Sequence, residues 1–355
     1  MEDRLYLDIH ILQTVPPSCV NRDDTGSPKT AVYGGSTRAR VSSQSWKKAV
    51  RDMFRNELLP QDARSNRTKQ IVNMVAEEIK KLGGDDPEKN AQKILEYAGL
   101  KIKSVEKGTD ALFFMSIAQA RALANLIVNS NGQKEKDLKD KAKQALKDNP
   151  GIDIALFGRM VADDPSLNTD ACAQVAHSIS THKISNEYDY FTAVDDCMPE
   201  DNAGAGHIGT IEFNSSTLYR YATIAVHGLS KQLGTETSNA VSKFIEAFIR
   251  SMPTGKQNTF ANRTLPDAVL VTLRADQPIN LVGAFEKPVY AGEEGYVAQS
   301  AQVFVKHANK IYADWLGKPD KSFAVGDLFS SLADETLSLE NFLTKINSEV
   351  AERLK

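Results

Sequence analysis

The densest set of chemistry-bearing residues lies in one stretch, Ala31–Arg51 (AVYGGSTRARVSSQSWKKAVR). It carries Arg38, Arg40, Lys47, Lys48 and Arg51 with no acid among them. Cations without intervening carboxylates suit a run of phosphates. Gly34-Gly35 allows a close approach of backbone to a partner. Ser42, Ser43 and Gln44 offer neutral hydrogen-bonding groups where a helix is expected to start, and free N–H groups and the helix dipole favour an anion there. Lys47 and Arg51 are four apart and share a helix face turned away from Trp46. A solvated helix face with an ordinary cap has the same composition, so the pattern alone leaves both readings open.

Other constellations are weaker. Gly204, Gly206 and Gly209 match G-x-G-x-x-G, but the preceding DDCMPED (195–201) is acidic and the following Thr210–Val226 is rich in β-formers. A dinucleotide site needs a buried strand before and a helix after, so a loop or hairpin tip fits better. Gly255-Lys256 is no P-loop, because Arg250 replaces the upstream glycine and Gln257 the Ser/Thr. Cys172, His177 and His182, spaced by five on an expected helix, point apart and make no metal site. Asp195-Asp196 suits a solvated loop better than a cation site. His10 sits at strand parity opposite to Leu7 and Ile9 and is expected to be structural. Along Lys134–Lys147, Lys139, Lys143 and Lys147 share a face. Intervening acids favour a salt-bridged solvent face over a weak contact with DNA phosphates. Tyr190-Phe191 are adjacent aromatics able to stack on bases, although one of a β pair is usually core.

The elements that must position these groups are legible in part. Leu5, Leu7, Ile9 and Ile11 alternate, predicting a strand over Arg4–Gln13. A polar loop is expected over Pro16–Ser36. Trp46, Ala49, Val50, Met53 and Phe54 then recur at helical spacing, with Ser42 or Ser43 as N-cap. Residues 66–149 look helical throughout, including Ala111–Val128, and predict a helical insert. A strand is expected at Ile152–Phe157, a helix at Asp170–Ile179, a strand at Thr217–Val226, a helix at Ala240–Ser251 and a strand at Ala268–Leu273. Helices are expected near Gln299–Leu316 and Leu339–Leu354. Without the insert the order is βαββαβ, an α+β, ferredoxin-like plan also used by RNA-recognition modules.

The chain has 355 residues, 43 Lys and Arg against 46 Asp and Glu for a net charge of −3, and 41% hydrophobic residues. That is enough apolar material for a core of about two domains and excludes wholesale disorder. The small net charge argues against a histone-like coat protein. No apolar run is long enough to span a membrane, and the first residues do not form a secretory signal. Three cysteines without a CxxC pair fit a reducing cytoplasm and no disulfide scaffold.

Taken together, the ordered blocks resemble a known family. They are SCVNRDD (18–24), YGG (33–35), RVSSQS (40–45), DIALFGRM (153–160), YFTAVDD (190–196), HIGTIEF (207–213), YRYA (219–222) and GKQNT (255–259). The chain resembles the CasC-type backbone subunit of the type I-E CRISPR Cascade surveillance complex, from the repeat-associated RNA-binding proteins. The likeness runs from about Leu5 to Lys287 and is looser in the insert and after Lys287. It implies a modified ferredoxin-like, RNA-recognition-type palm (1–65, 150–183 and 214–355 with C-terminal helices), helical fingers (66–149) and a β-hairpin thumb (184–213). It further implies a non-catalytic subunit that polymerises along CRISPR guide RNA, with target DNA, further copies of itself and other Cascade subunits as partners and no cofactor. On this resemblance Arg22, Lys29, Arg38, Arg40, Ser42, Gln44, Lys47, Lys48 and Arg51 hold the guide backbone and Met160 presses on it. Tyr190 and Phe191 act from the thumb, and Lys139 and Lys143 touch target DNA. The aromatic octamer of ordinary RNA-recognition modules is missing, its nearest approach being Tyr219-Arg220-Tyr221. That suits a protein that leaves bases exposed for pairing. The alternative is an RNA-processing endonuclease of the same superfamily, with His10 or His207 as general base, although no His–His or His–Lys–Tyr cluster is present.

Overall fold

Alternation fixes the first strand. In the computed structural model, which describes residues 4–130, 134–161, 164–193 and 207–355, Leu7, Ile9 and Ile11 of β1 (Tyr6–Ser18) are fully buried. So are Asp8, His10 and Leu12 on the opposite parity. A strand covered on both faces belongs at the middle of a sheet, and β1 indeed lies between two long partners.

The expected polar loop contains an unforeseen hairpin, β2 (Thr30–Tyr33) and β3 (Ser36–Val41). Gly34-Gly35 is its two-residue turn, with both φ positive as such turns require. A Cβ at Gly34 would collide with the carbonyl of Glu286. This glycine pair therefore serves a turn and a contact within the chain, correcting the expectation that it admits a partner. Helix α1 (Ser43–Met53) follows, with Trp46, Ala49, Val50 and Met53 buried as the spacing predicts.

A second body comes next. It comprises β4 (Ser65–Thr68), α2 (Ile71–Lys81), α3 (Pro87–Tyr97), β5 (Ile102–Ser104), β6 (Gly108–Thr109), β7 (Phe113–Ser116), α4 (Ile117–Val128) and α5 (Glu135–Lys147). Its core is separate from that of the sheet and includes Ile71, Val75, Ile79, Ile94, Leu123 and Leu146. The segment expected to be helical from Ala111 starts as β7, paired with β4. Its helix begins only after Ser116, which forms a capping box with Gln119.

Two more expectations are reversed. Ile152–Phe157 is a helix, α6, bracketed by Gly151 and Gly158 at positive φ. A short apolar run cannot be assigned by periodicity alone. The segment expected to be helical from Asp170 instead holds β8 (Ala173–Val175) and β9 (Ser178–Ser180). Beyond them lie β10 (Glu187–Ala193), β11 (His207–Ala225), α7 (Val226–Leu233), α8 (Thr237–Arg250), α9 (Gln257–Phe260) and β12 (Ala268–Arg274). The chain ends with α10 (Gly295–Ile311), β13 (Lys321–Val325), β14 (Glu335–Thr336) and α11 (Leu339–Arg353).

The fold is α+β. The main sheet runs β14-β13-β12-β1-β11-β9-β3-β2, and β8 and β10 also pair with β11. One face packs on α1, α8 and α11 through Trp46, Phe244, Phe248, Phe342 and Ile346. The other is sealed by α10 and the turns Leu281–Phe285 and Asp327–Leu332, through Phe285, Phe304 and Phe329 against Leu12, Tyr219, Tyr221 and Leu270. Among the described residues, no helix is long and apolar enough to cross a membrane.

Candidate nucleic-acid interface

Helix α1 is anchored by Ser42, whose hydroxyl accepts from the Ser45 N–H at 3.3 Å while its own N–H donates to Asn21 Oδ1 at 2.9 Å. Ser42 is almost fully buried by this capping role. Gln44 remains exposed in a first turn that carries no acid. The loop before the hairpin closes on itself. Asp23 accepts from the Thr25 and Ser27 N–H groups and the Thr25 hydroxyl, bonds that hold its carboxyl below the usual range. Asp23 is thus occupied, and Arg22 beside it is exposed. Behind this loop, a Cβ on Gly255 would collide with the Val20 carbonyl, so the two backbones lie in direct contact. Together the loop, α1 and Met252–Gly255 line a cavity of about 550 Å³.

Arg40 donates from Nε to the Thr30 carbonyl at 3.0 Å and lies 3.4 Å from His177 Nδ1. Burial, Arg40 and Lys29 push the His177 pKa down. Lys47 is half-buried 6.0 Å over the Phe157 ring, its pKa lowered by burial and by Arg67. Lys48 is exposed and paired with Asp52 at 2.5 Å, a contact water and salt weaken. Arg51 lies 3.8 Å from the buried carboxylate of Asp153 and 4.5 Å over the Phe114 ring.

Arg38 does not join this group. It is wholly buried and donates to the carbonyls of Ser180, Thr181, Phe285 and Glu286. Its charge ties β3 to β9 and to the covering turn, so the expectation of a phosphate contact is corrected. Burial removes Ser42 as a direct contact in the same way. Lys139 is paired with Glu135 and Lys143 with Asp164, each at 2.7 Å. Glu135 is one of the intervening acids, whereas Asp164 comes from beyond α6, so only the first pair is the one the local sequence suggested.

Met160 is 85% exposed. It stands there because Arg159 beside it is buried and fixed by the carbonyls of Phe114, Leu146 and Leu167. Tyr190 and Phe191 lie on β10, which pairs with β11 in the register Tyr190↔Thr210 and Phe191↔Gly209. Tyr190 is 62% exposed, and the Phe191 ring lies over Gly209, where any Cβ would clash. Gly204, Gly206, Asp195, Asp196 and Cys197 lie outside the described residues, as does the side chain of His207.

The sequence reading missed Arg55, Arg64 and Arg67. With Lys48 and Arg51 they line a second cleft, of about 530 Å³, between α1 and β4. Arg67 sits 5.2 Å over the same Phe114 ring as Arg51. The available signal was Arg64-x-x-Arg67 in the segment that follows α1, but nothing local shows that β4 turns back towards α1.

His10 is buried among Tyr219, Tyr221 and Phe304, its Nδ1 2.8 Å from the Tyr219 hydroxyl. Burial pushes its pKa down to about 3, which suits a core residue. Cys172 is held up at about 11 by burial, and no metal-ligand cluster occurs among the described residues.

The model of the CT1975-like protein family matches residues 7–347. The chain belongs to the CT1975-like protein family. Among solved structures, this CT1975-like chain is similar to a chain of a "CRISPR RNA-guided surveillance complex, pre-nicking", with 33% identity and a TM-score of 0.80 over 98% of this chain and 99% of that one. It is also similar to a chain of a "CRISPR RNA-guided surveillance complex", with 30% identity and a TM-score of 0.63 over 98% and 99%. No curated protein matches significantly. Those likenesses span nearly all of the CT1975-like chain.

Proposed function

We propose that this protein is the non-catalytic backbone subunit of a CRISPR RNA-guided surveillance complex, of the type I-E CasC kind. Copies would line up along guide RNA in the cytoplasm, hold its backbone and present its bases to target DNA beside other Cascade subunits. The observation that carries this reading is the end-to-end likeness to a surveillance-complex chain at 33% identity. The surface supports it, because Arg22, Lys29, Arg40, Gln44, Lys47 and Lys48 lie on the first turns of α1 and the segments before it, and Arg51 follows in the last turn of the helix.

The strand order β12-β1-β11-β8, with α1 and α8 on one face, supports the reading of a ferredoxin-like palm. The separate core of residues 71–167 supports reading that body as fingers, and the β10–β11 hairpin supports reading it as a thumb. β11 continues from that hairpin into the sheet beside β1, which gives such a thumb a rigid root. An ordinary RNA-recognition sheet stacks bases on exposed aromatics. Here Tyr219 and Tyr221 lie under α10, so binding falls to the charged rim and leaves base pairing to read sequence.

The test is nuclease footprinting of the purified protein on guide-length RNA. Regularly spaced protection, independent of sequence, is expected. Arg22→Gln with Lys47→Gln is expected to weaken binding at least tenfold and flatten its salt dependence. Tyr190→Ala with Phe191→Ala is expected to abolish the regular spacing. Cleavage of repeat RNA that disappears with His207→Ala would instead favour the endonuclease reading.

A further inference from the structure

The cleft between α1 and β4 holds cations that the proposed guide-binding row does not use. Arg55, Arg64 and Arg67 have no carboxylate within ion-pair distance among the described residues, whereas Lys48 and Arg51 on the same cleft do. The acids lining it are Asp52, which pairs with Lys48, the exposed Glu77, and Asp153, which is buried against Arg51. Arg51 and Arg67 are stacked over one ring, Phe114, at 4.5 and 5.2 Å, so their guanidinium groups are oriented before any ligand arrives. Arg51 Nε is buried without a hydrogen-bond partner. Like charges held this close repel one another, and burial first and Arg67 after it lower the pKa of both Lys47 and Arg51. Repulsion of this kind persists where an anion relieves it.

We infer that this cleft is a second phosphate-binding track for the guide strand, with Arg55, Arg64 and Arg67 as its contacts. The inference rests on the guide-RNA reading above and extends it into the second body. The track is continuous with the first, since Lys48 and Asp52 line both cavities. A strand leaving the α1 N-terminus would pass along the Lys48–Arg55 side of the helix and meet β4. Arginine suits the task, because its planar fork binds phosphate oxygens in pairs. A polyanion there would also bridge the two hydrophobic cores, whose chains meet at this junction.

The experiment compares Arg55→Gln/Arg67→Gln with the wild type in binding a guide-length single-stranded RNA across a salt series. Lys80→Gln/Lys81→Gln, whose lysines pair with Glu88 and Glu78, is the control. The cleft variant is expected to bind at least tenfold more weakly, with a salt slope shallower by about 1.4, two phosphates at about 0.7 each. The control is expected to match the wild type. Arg55→Lys/Arg67→Lys, which keeps the charge and guards against misfolding, is expected to retain the wild-type slope. An unchanged affinity and slope in Arg55→Gln/Arg67→Gln, while Arg22→Gln/Lys47→Gln loses binding, would overturn the second track and leave the guide-RNA reading standing. A wild type that binds no RNA would remove that reading itself. A defect seen only for DNA annealed to the guide would assign the cleft to the other strand and also overturn the inference.

Discussion

Arginine has two physical roles in this chain. Arg38, Arg159 and Arg220 are buried and spend their donors on carbonyl and amide oxygens, with burial pushing Arg159 down to about 10 and Arg220 to about 9. Arg22, Arg55 and Arg67 keep theirs at the surface. Arg38 and Arg40 share strand parity, so neither alternation nor charge separates them in the sequence. What separates them is a turn contributed by residues 281–286, far away in the chain. Arg38→Gln is therefore expected to cost about 2 to 4 kcal/mol of stability, as a set of buried acceptors loses its charged donor. Its RNA affinity per folded molecule is expected to stay at the wild-type value. Urea unfolding and filter binding on the same preparation check both halves, and an affinity loss without destabilisation would return Arg38 to the interface.

On the scale of an element, β1 carries two opposed titrations on its sealed face. Asp8 accepts from the Tyr221 hydroxyl and the Ile279 N–H, each at 2.8 Å, and burial holds its pKa up at about 6. The folded chain keeps that proton where the unfolded chain, near 3.8, has lost it, so this group's stabilisation declines as pH rises from about 4 to 6. His10, held down at about 3 against an ordinary 6.5, does the reverse and removes stability as pH falls below 6.5. The two offset one another between about pH 4 and 6. Asp8→Asn removes one side, so its stability is expected to fall with acid more steeply than the wild type's, by up to about 1.4 kcal/mol per pH unit in that window. Urea midpoints at pH 4, 5, 6 and 7 test this, and parallel profiles would refute it. Elements with a strong single period were legible, as Trp46 to Phe54 and Ile71 to Ile79 demonstrate. The failures have a common cause. β9 is covered on both faces and β8 is only three residues long, so Cys172, Ala173, Val175, Ala176 and Ile179 mimic helical spacing. In α6 six residues are too few to display a period. The β2–β3 hairpin is polar and was hidden in a presumed loop, its turn mistaken for a ligand contact.

For the whole molecule, the blocks that pointed to the family also located the cation row, because loop 20–26 and the α1 N-terminus are separated in sequence only by the β2–β3 hairpin. The second cleft stayed hidden because it exists only once β4 folds back on α1. The same holds for the wall behind Arg22, where Gly255 rests on the Val20 carbonyl and joins segments from opposite halves of the chain. A single methyl group can act there as the loss of a charge would act elsewhere. Gly255→Ala alters no titratable group, yet it wedges the two segments apart and carries the Arg22 guanidinium away from its neighbours. A severalfold loss of RNA affinity with little change in melting temperature is expected from this electroneutral substitution. Wild-type binding would mean that the loop holds its position without that support.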